Sequence, residues 1–226
     1  LEDIKRNKFV LPAIQREFVW QPEQIARLFD SLMQGYPFGT FLFWKVEKSN
    51  SGHYNFYSFV REYHQRDNPH CPQLPPFHDT EVTAVLDGQQ RLTALNIGLC
   101  GSMARRLPYK WKNNPNAYPV KHLYLDLLAE HGDADDGGEK YRFEFLTAEQ
   151  AQSGNPDECW FKVGDILGMR NGPPMLAWLN DRLPQEKTTQ AFTVLDQLFQ
   201  VVHNLRLISF YEEKSQSLEK VLNIFI

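Results

Sequence analysis

The sequence predicts an α+β fold, on three observations. A short apolar run rich in β-branched residues, 82–86, passes through Asp87 and Gly88 into a segment with Leu92, Leu95 and Leu99 at helical spacing. Aromatic and β-branched runs such as Thr40–Val46 recur along the chain and suit strands. Between them lie apolar stripes at i, i+3, i+4 and i+7, which suit helices packed on a core.

With 226 residues, 42% of them hydrophobic, the chain can bury a sizeable core. Its formal net charge of −4 excludes a strongly basic footprint over the whole chain and leaves room for a local basic patch. Cys71, Cys100 and Cys159 are odd in number, far apart and free of metal-ligand spacing. That usage fits a reducing, cytoplasmic compartment. No run of about 18 apolar residues predicts a membrane span. No signal peptide precedes Leu1, and the sequence reads as a piece of a longer protein.

Residues 9–20 mix apolar and polar side chains around Pro12, which predicts an edge strand or extended segment. Its polar members are Gln15, Arg16 and Glu17. Arg16 can face solvent or grip a phosphate through two parallel bonds. Pro22 opens a helix whose stripe is Ile25, Leu28, Phe29 and Leu32, and Gly35 closes it. A turn at 36–39 leads into a strand at Thr40–Val46. Gly39 and Thr40 form either a simple turn or a place where a ligand approaches the backbone. Residues 47–62 alternate polar and aromatic, as one or two short strands do. Residues 64–80 predict a long surface loop, whose His64, His70 and His78 lack metal-ligand spacing.

Beyond the central helix, Arg105, Arg106, Lys110 and Lys112 interleave with Tyr109 and Trp111. Such a stretch can hold a nucleic-acid backbone and stack bases, although a solvated basic face is the commoner outcome. Residues 121–128 and 140–146 predict two strands. The acidic, glycine-rich tip between them carries Asp133, Asp135 and Asp136 but lacks the rest of a calcium loop. A short strand at 160–163 runs into a turn at 163–166. Helices at 175–183 and 188–204, a strand at 205–211 and a helix capped by Ser217 complete the order.

The junction at 87–91 concentrates chemistry. A strand that enters a helix through glycine leaves backbone N–H groups unpaired at the positive end of the helix dipole, a site for anions such as phosphate. Asp87, Gln89, Gln90 and Arg91 add a carboxylate, two amides and a guanidinium to Gly88. Asp87 can cap the helix or contact a divalent ion. A glycine turn without a phosphate-loop lysine is, alone, an unspecific motif.

Two motifs now stand together. One is Leu11-Pro12-Ala13-Ile14-Gln15-Arg16 with Trp20; the other is Asp87-Gly88-Gln89-Gln90-Arg91-Leu92-Thr93-Ala94-Leu95. Gly35-Tyr36-Pro37-Phe38-Gly39-Thr40 lies between them. The combination closely resembles the N-terminal domain of GmrSD-type modification-dependent restriction enzymes. That domain is similar in turn to the ParB/sulfiredoxin superfamily. The resemblance implies a mixed sheet flanked by helices, with a β-rich insertion and additional C-terminal helices. It implies a nucleotide-binding core over 1–112, and a hairpin and helical extension over 113–226 completing the same domain. It implies binding and hydrolysis of a nucleoside triphosphate with Mg²⁺. Asp87, Gln89, Gln90 and Arg91 then sit in the catalytic turn, and Gln15, Arg16, Gly88, Gly39 and Thr40 around the nucleotide. A C-terminal nuclease domain in the same protein and action on DNA in bacterial phage defence are further implications. A ParB-like DNA-binding or nuclease module without nucleotide hydrolysis is the alternative.

Overall fold

The computed structural model describes residues 1–13, 17–78, 80–129, 138–152, 154–217 and 219–221. The architecture is mixed α/β and is built on two mixed sheets.

The first sheet has the order β10-β2-β5-β1-β3. Its strands are β1 (Phe9–Pro12), β2 (Thr40–Val46), β3 (Phe56–Tyr57), β5 (Val82–Asp87) and β10 (Ser209–Glu213). β5 lies at its centre, antiparallel to β2 and parallel to β1. The β2 register slips between Leu42 and Phe43, opposite the end of β5, so the sheet bends where the chain leaves for the helix. β1 is interior, not an edge strand: β5 flanks one side and the two-residue β3 the other. Pro12 is tolerated because it ends the strand, opposite Phe56.

The second sheet is formed by β4 (Glu62–His64), β6 (Ser102–Ala104), β7 (Val120–Asp126), β8 (Phe143–Leu146) and β9 (Trp160–Lys162). β7 and β8 make the expected antiparallel pair, and β9 lines up with the far end of β7. The tip residues Asp133, Asp135 and Asp136 lie outside the described residues.

Helix α1 (Glu2–Lys5) precedes β1, and α2 is Pro22–Met33. α2 starts at a first-turn proline, with Gln24 Oε1 accepting the Gln21 amide at 2.8 Å. It ends just before Gly35, whose φ of +76° suits glycine. Ile25, Phe29 and Leu32 are buried, as their spacing requires. A single turn, α3 (Lys48–Ser51), follows β2. α4 (Gln89–Cys100) is buried from Leu92 to Leu99, so it is a core helix rather than a surface one with a single apolar face. Gly98 is the point of closest packing: a Cβ there would overlap the Phe29 ring. Another single turn, α5 (Ala148–Ala151), follows β8; α6 (Pro173–Asn180) and α7 (Gln185–His203) then pack together. α7 buries Ala191, Val194, Leu195, Leu198 and Val201, and leaves Phe192 and Phe199 only partly buried.

The strand expected at 205–211 forms later, as β10, and adds parallel to β2. Residues behind it wrap the same strand: Trp44 Nε1 donates to Ser215 O, and Gln216 bonds both Lys45 O and the Glu47 amide. Ser217 Oγ caps the turn that follows by accepting the Lys220 amide. No helix among the described residues is long and apolar enough to cross a membrane.

Candidate functional site

The β5–α4 junction is a sharp elbow. Gly88 stands at φ +87°, ψ 11°, the left-handed conformation. Side-chain-bearing residues rarely adopt it. Space imposes the same demand, because a Cβ on Gly88 would collide with the fully buried Phe41 ring on β2. The first intrahelical bond runs from the Leu92 amide to Gly88 O. The amides of Gln89, Gln90 and Arg91 therefore form the first turn, and no side chain among the described residues caps it. The Asp87 carboxylate does not take the capping role: it accepts from Arg91 Nη2 at 3.3 Å and is 64% exposed.

Arg91 reaches across to the 38–40 turn. Nη1 donates to Phe38 O at 2.6 Å and Nη2 to Thr40 O at 3.1 Å. The guanidinium lies 4.7 Å from the centre of the Phe41 ring, a favourable cation–π placement. It also fills the space that Gly39, at φ +80°, leaves by lacking a Cβ. Arg91 itself is thus what approaches the backbone at Gly39 and Thr40. Its planar fork meets two carbonyls at once.

Gln90 clamps a different segment. Its Nε2 donates to Glu17 O at 2.9 Å, and its Oε1 accepts the Val19 amide at 3.1 Å. Both ends of the amide are engaged with one strip of backbone. Gln89 Nε2 donates to Leu86 O at 3.0 Å, and its Oε1 has no partner among the described residues. Gln15 and Arg16 lie outside the described residues, but Glu17, next in sequence, is the residue that Gln90 holds. Replacing Gln90 by leucine is expected to loosen residues 17–20. The measurement is faster amide exchange at Val19, with about 1–2 kcal/mol of lost stability for two hydrogen bonds.

Of the basic stretch, Arg105 is separated from its neighbours. It is half-buried, its Nη1 donates to Trp20 O at 3.3 Å, and its guanidinium lies 5.7 Å from the Tyr63 ring. The strip 17–20 is therefore held by Gln90 on one side and by Arg105 on the other. Arg106, Lys110 and Lys112 are exposed.

Hollows lie elsewhere on the molecule. One of about 900 Å³ is apolar, between α2, α4, α7 and residues 205–210. Two of about 620 and 800 Å³ flank β7 and α7. Three His, Cys, Asp or Glu side chains converge nowhere among the described residues. Burial pushes the thiols of Cys71 and Cys100 up, and that of Cys159 up to about 11, so none is a thiolate nucleophile at neutral pH.

The elbow, its arginine clamp and the glutamine-tied strip span residues 17–91, and the sequence around them decides the relationship. The profile of the GmrSD restriction endonuclease N-terminal domain matches residues 1–226. The chain belongs to that family. Comparison with individually curated proteins gave no match. A GmrSD N-terminal domain is part of a restriction endonuclease system, so the expectation of a restriction and phage-defence context holds. The motif Asp87–Arg91 is also the structural hub of this GmrSD domain. Sequence reading missed Phe38, Phe41, Glu17 and Val19 as its partners. The one available signal was the cluster of aromatics beside the glycine turn.

Proposed function

We propose that this domain binds a nucleoside triphosphate at the Gly88 elbow and hydrolyses it to gate a nuclease domain carried in the same protein. The reading rests chiefly on one observation: the first-turn amides of α4 have no side-chain cap among the described residues and lie beside an exposed carboxylate, while Gln90 ties Glu17, next in sequence to the Gln15-Arg16 motif, to the same helix end. The N–H groups of Gln89, Gln90 and Arg91 would bind phosphate oxygens, favoured by the helix dipole. Asp87 fits a hard cation, since Mg²⁺ is commonly held by one or two carboxylates together with substrate phosphates. The ion would neutralise charge on the bridging oxygens. Gln89 Oε1 would accept a hydrogen bond from the attacking water and orient it toward the terminal phosphorus. Gln90 and Arg91 act as positioning residues, holding the strip 17–20 and the 38–40 turn around the phosphates. Arg16 would supply the cation that Arg91, engaged with Phe38 O and Thr40 O, supplies only in part. The phosphate-binding mode parallels that implied by the ParB/sulfiredoxin likeness, with DNA as the macromolecular partner of the whole protein.

The test is a thermal-shift screen with each nucleoside triphosphate and Mg²⁺, followed by phosphate release. Ligand at a hundred times its Kd stabilises by about 2.7 kcal/mol. For a domain of this size that is a rise in Tm of roughly 5–10 °C. Asp87→Asn is expected to keep the fold, because the side chain is mostly exposed, and to abolish phosphate release. The absence of a shift with every triphosphate at millimolar concentration would remove the reading and favour a DNA-binding module without hydrolysis.

A further inference from the structure

Between Gly101 and Leu125 the sequence holds five cations, Arg105, Arg106, Lys110, Lys112 and Lys121, and no Asp or Glu, in a chain whose net charge is −4. The charge is segregated onto one stretch, and the structure shows that stretch to be well tied. The Leu107 amide bonds Ala117 O at 2.8 Å, and the Asn114 amide bonds Trp111 O at 3.0 Å. The Tyr118 hydroxyl donates to Lys112 O at 3.1 Å. Ala104, Ala117 and Tyr118 form a small buried cluster beneath. On this braced loop Tyr109 is fully exposed and Trp111 is 86% exposed. Tyr109 also sits at φ +62°, a conformation that bulky residues rarely adopt.

Single exposed apolar side chains are ordinary on protein surfaces. Two large aromatics interleaved with exposed cations on a hydrogen-bonded loop make a more specific arrangement. The nearby acids do not cancel it. Asp67 is bound by Arg66 through two bonds at 2.7 and 2.9 Å, and Glu144 by Arg142 at 2.8 Å. Glu23 shares the hollow of about 550 Å³ beside the loop with Arg105, Arg106 and Lys121. Aromatic rings stack on any unpaired base, and flanking cations follow the phosphates. An acidic protein partner would use the cations but has no need of two upright rings between them.

We infer that residues 106–112 are a nucleic-acid grip: Arg106, Lys110 and Lys112 hold backbone phosphates, and Tyr109 and Trp111 stack on bases of a single-stranded or opened stretch of DNA. Arg105 braces the loop through Trp20 and does not reach the ligand. The grip is independent of the nucleotide reading, since it shares no ligand-binding residue with the elbow.

The experiment is fluorescence anisotropy with short labelled DNA, single-stranded and duplex of the same sequence, over a range of salt. Wild type is expected to bind the single strand more tightly, with affinity falling as salt rises. Tyr109→Ala with Trp111→Ala is expected to weaken single-strand binding by about thirtyfold or more. Arg106→Ala, Lys110→Ala and Lys112→Ala together are expected to flatten the salt slope by about two. All five side chains are exposed, so Tm should stay near the wild-type value and separate lost contact from lost fold. Unchanged affinity in both variants would place the DNA elsewhere. A wild-type chain that retains no DNA at low salt would overturn the grip outright. Neither result would alter the outcome of the triphosphate screen.

Discussion

Gly88→Ala is expected to destabilise the domain by roughly 2–5 kcal/mol, combining the left-handed backbone penalty with overpacking. At this chain length that corresponds to a fall in Tm of roughly 5–15 °C. Two separate demands meet at this residue. The φ of +87° disfavours any side chain, and the methyl group would enter the Phe41 ring. Phe41 has no room to retreat, since it is fully buried with Phe38 at 5.5 Å, Phe43 at 5.9 Å and the Arg91 guanidinium at 4.7 Å. Chemical or thermal unfolding measures the effect directly. Phe41→Leu in the Gly88→Ala background should recover part of the loss by making space, while leaving the backbone part unrecovered. A Gly88→Ala variant with wild-type stability would show that the elbow does not take this conformation.

Arg91→Ala is expected to lower stability by about 2–4 kcal/mol, because charged hydrogen bonds to Phe38 O, on a buried residue, and to Thr40 O are lost. Phe38 is buried and the Arg91 side chain is only 22% exposed, so water replaces the guanidinium poorly. Arg91→Lys is expected to restore only part of the stability: an ammonium can meet one carbonyl well, but it lacks the planar fork and stacks less effectively on Phe41. Loss of triphosphate binding in Arg91→Ala would therefore report on the fold as much as on the ligand. Asp87→Asn, whose side chain carries little structural duty, is the cleaner probe of chemistry at the elbow. Urea titrations of both Arg91 variants beside Asp87→Asn would separate the two roles.

The elements were legible where one local signal governed them. Pro22, the Ile25-to-Leu32 stripe and Gly35 bound α2 within a residue or two, and Thr40–Val46 is a strand with the expected limits. The junction from β5 through Gly88 to α4 is equally local. Position in the sheet was not legible. Pro12 suggested an edge strand, yet β1 is interior: the short β3 pairs with it at Leu11 and Pro12, where the strand ends. Leu205 to Tyr211 has strand composition, but pairing with β2 starts at Ser209, since a strand begins where a partner is available. The burial of α4 on all sides also escaped its single leucine stripe, because Ala94, Ile97 and Gly98 are small or neutral enough to meet packed neighbours.

The candidate site divides along the same line. By itself the sequence determined that a glycine must join strand to helix at 88, that polar groups gather there, and that the chain carries the motifs of its restriction-endonuclease family. Only the tertiary structure decided what those polar groups touch: Arg91 holds a turn 53 residues away, and Gln90 a strip 73 residues away. The reason is physical. Backbone propensity and hydrophobic period act over one or two turns of chain, whereas a guanidinium or an amide takes its partners from whatever surfaces packing brings within 3 Å.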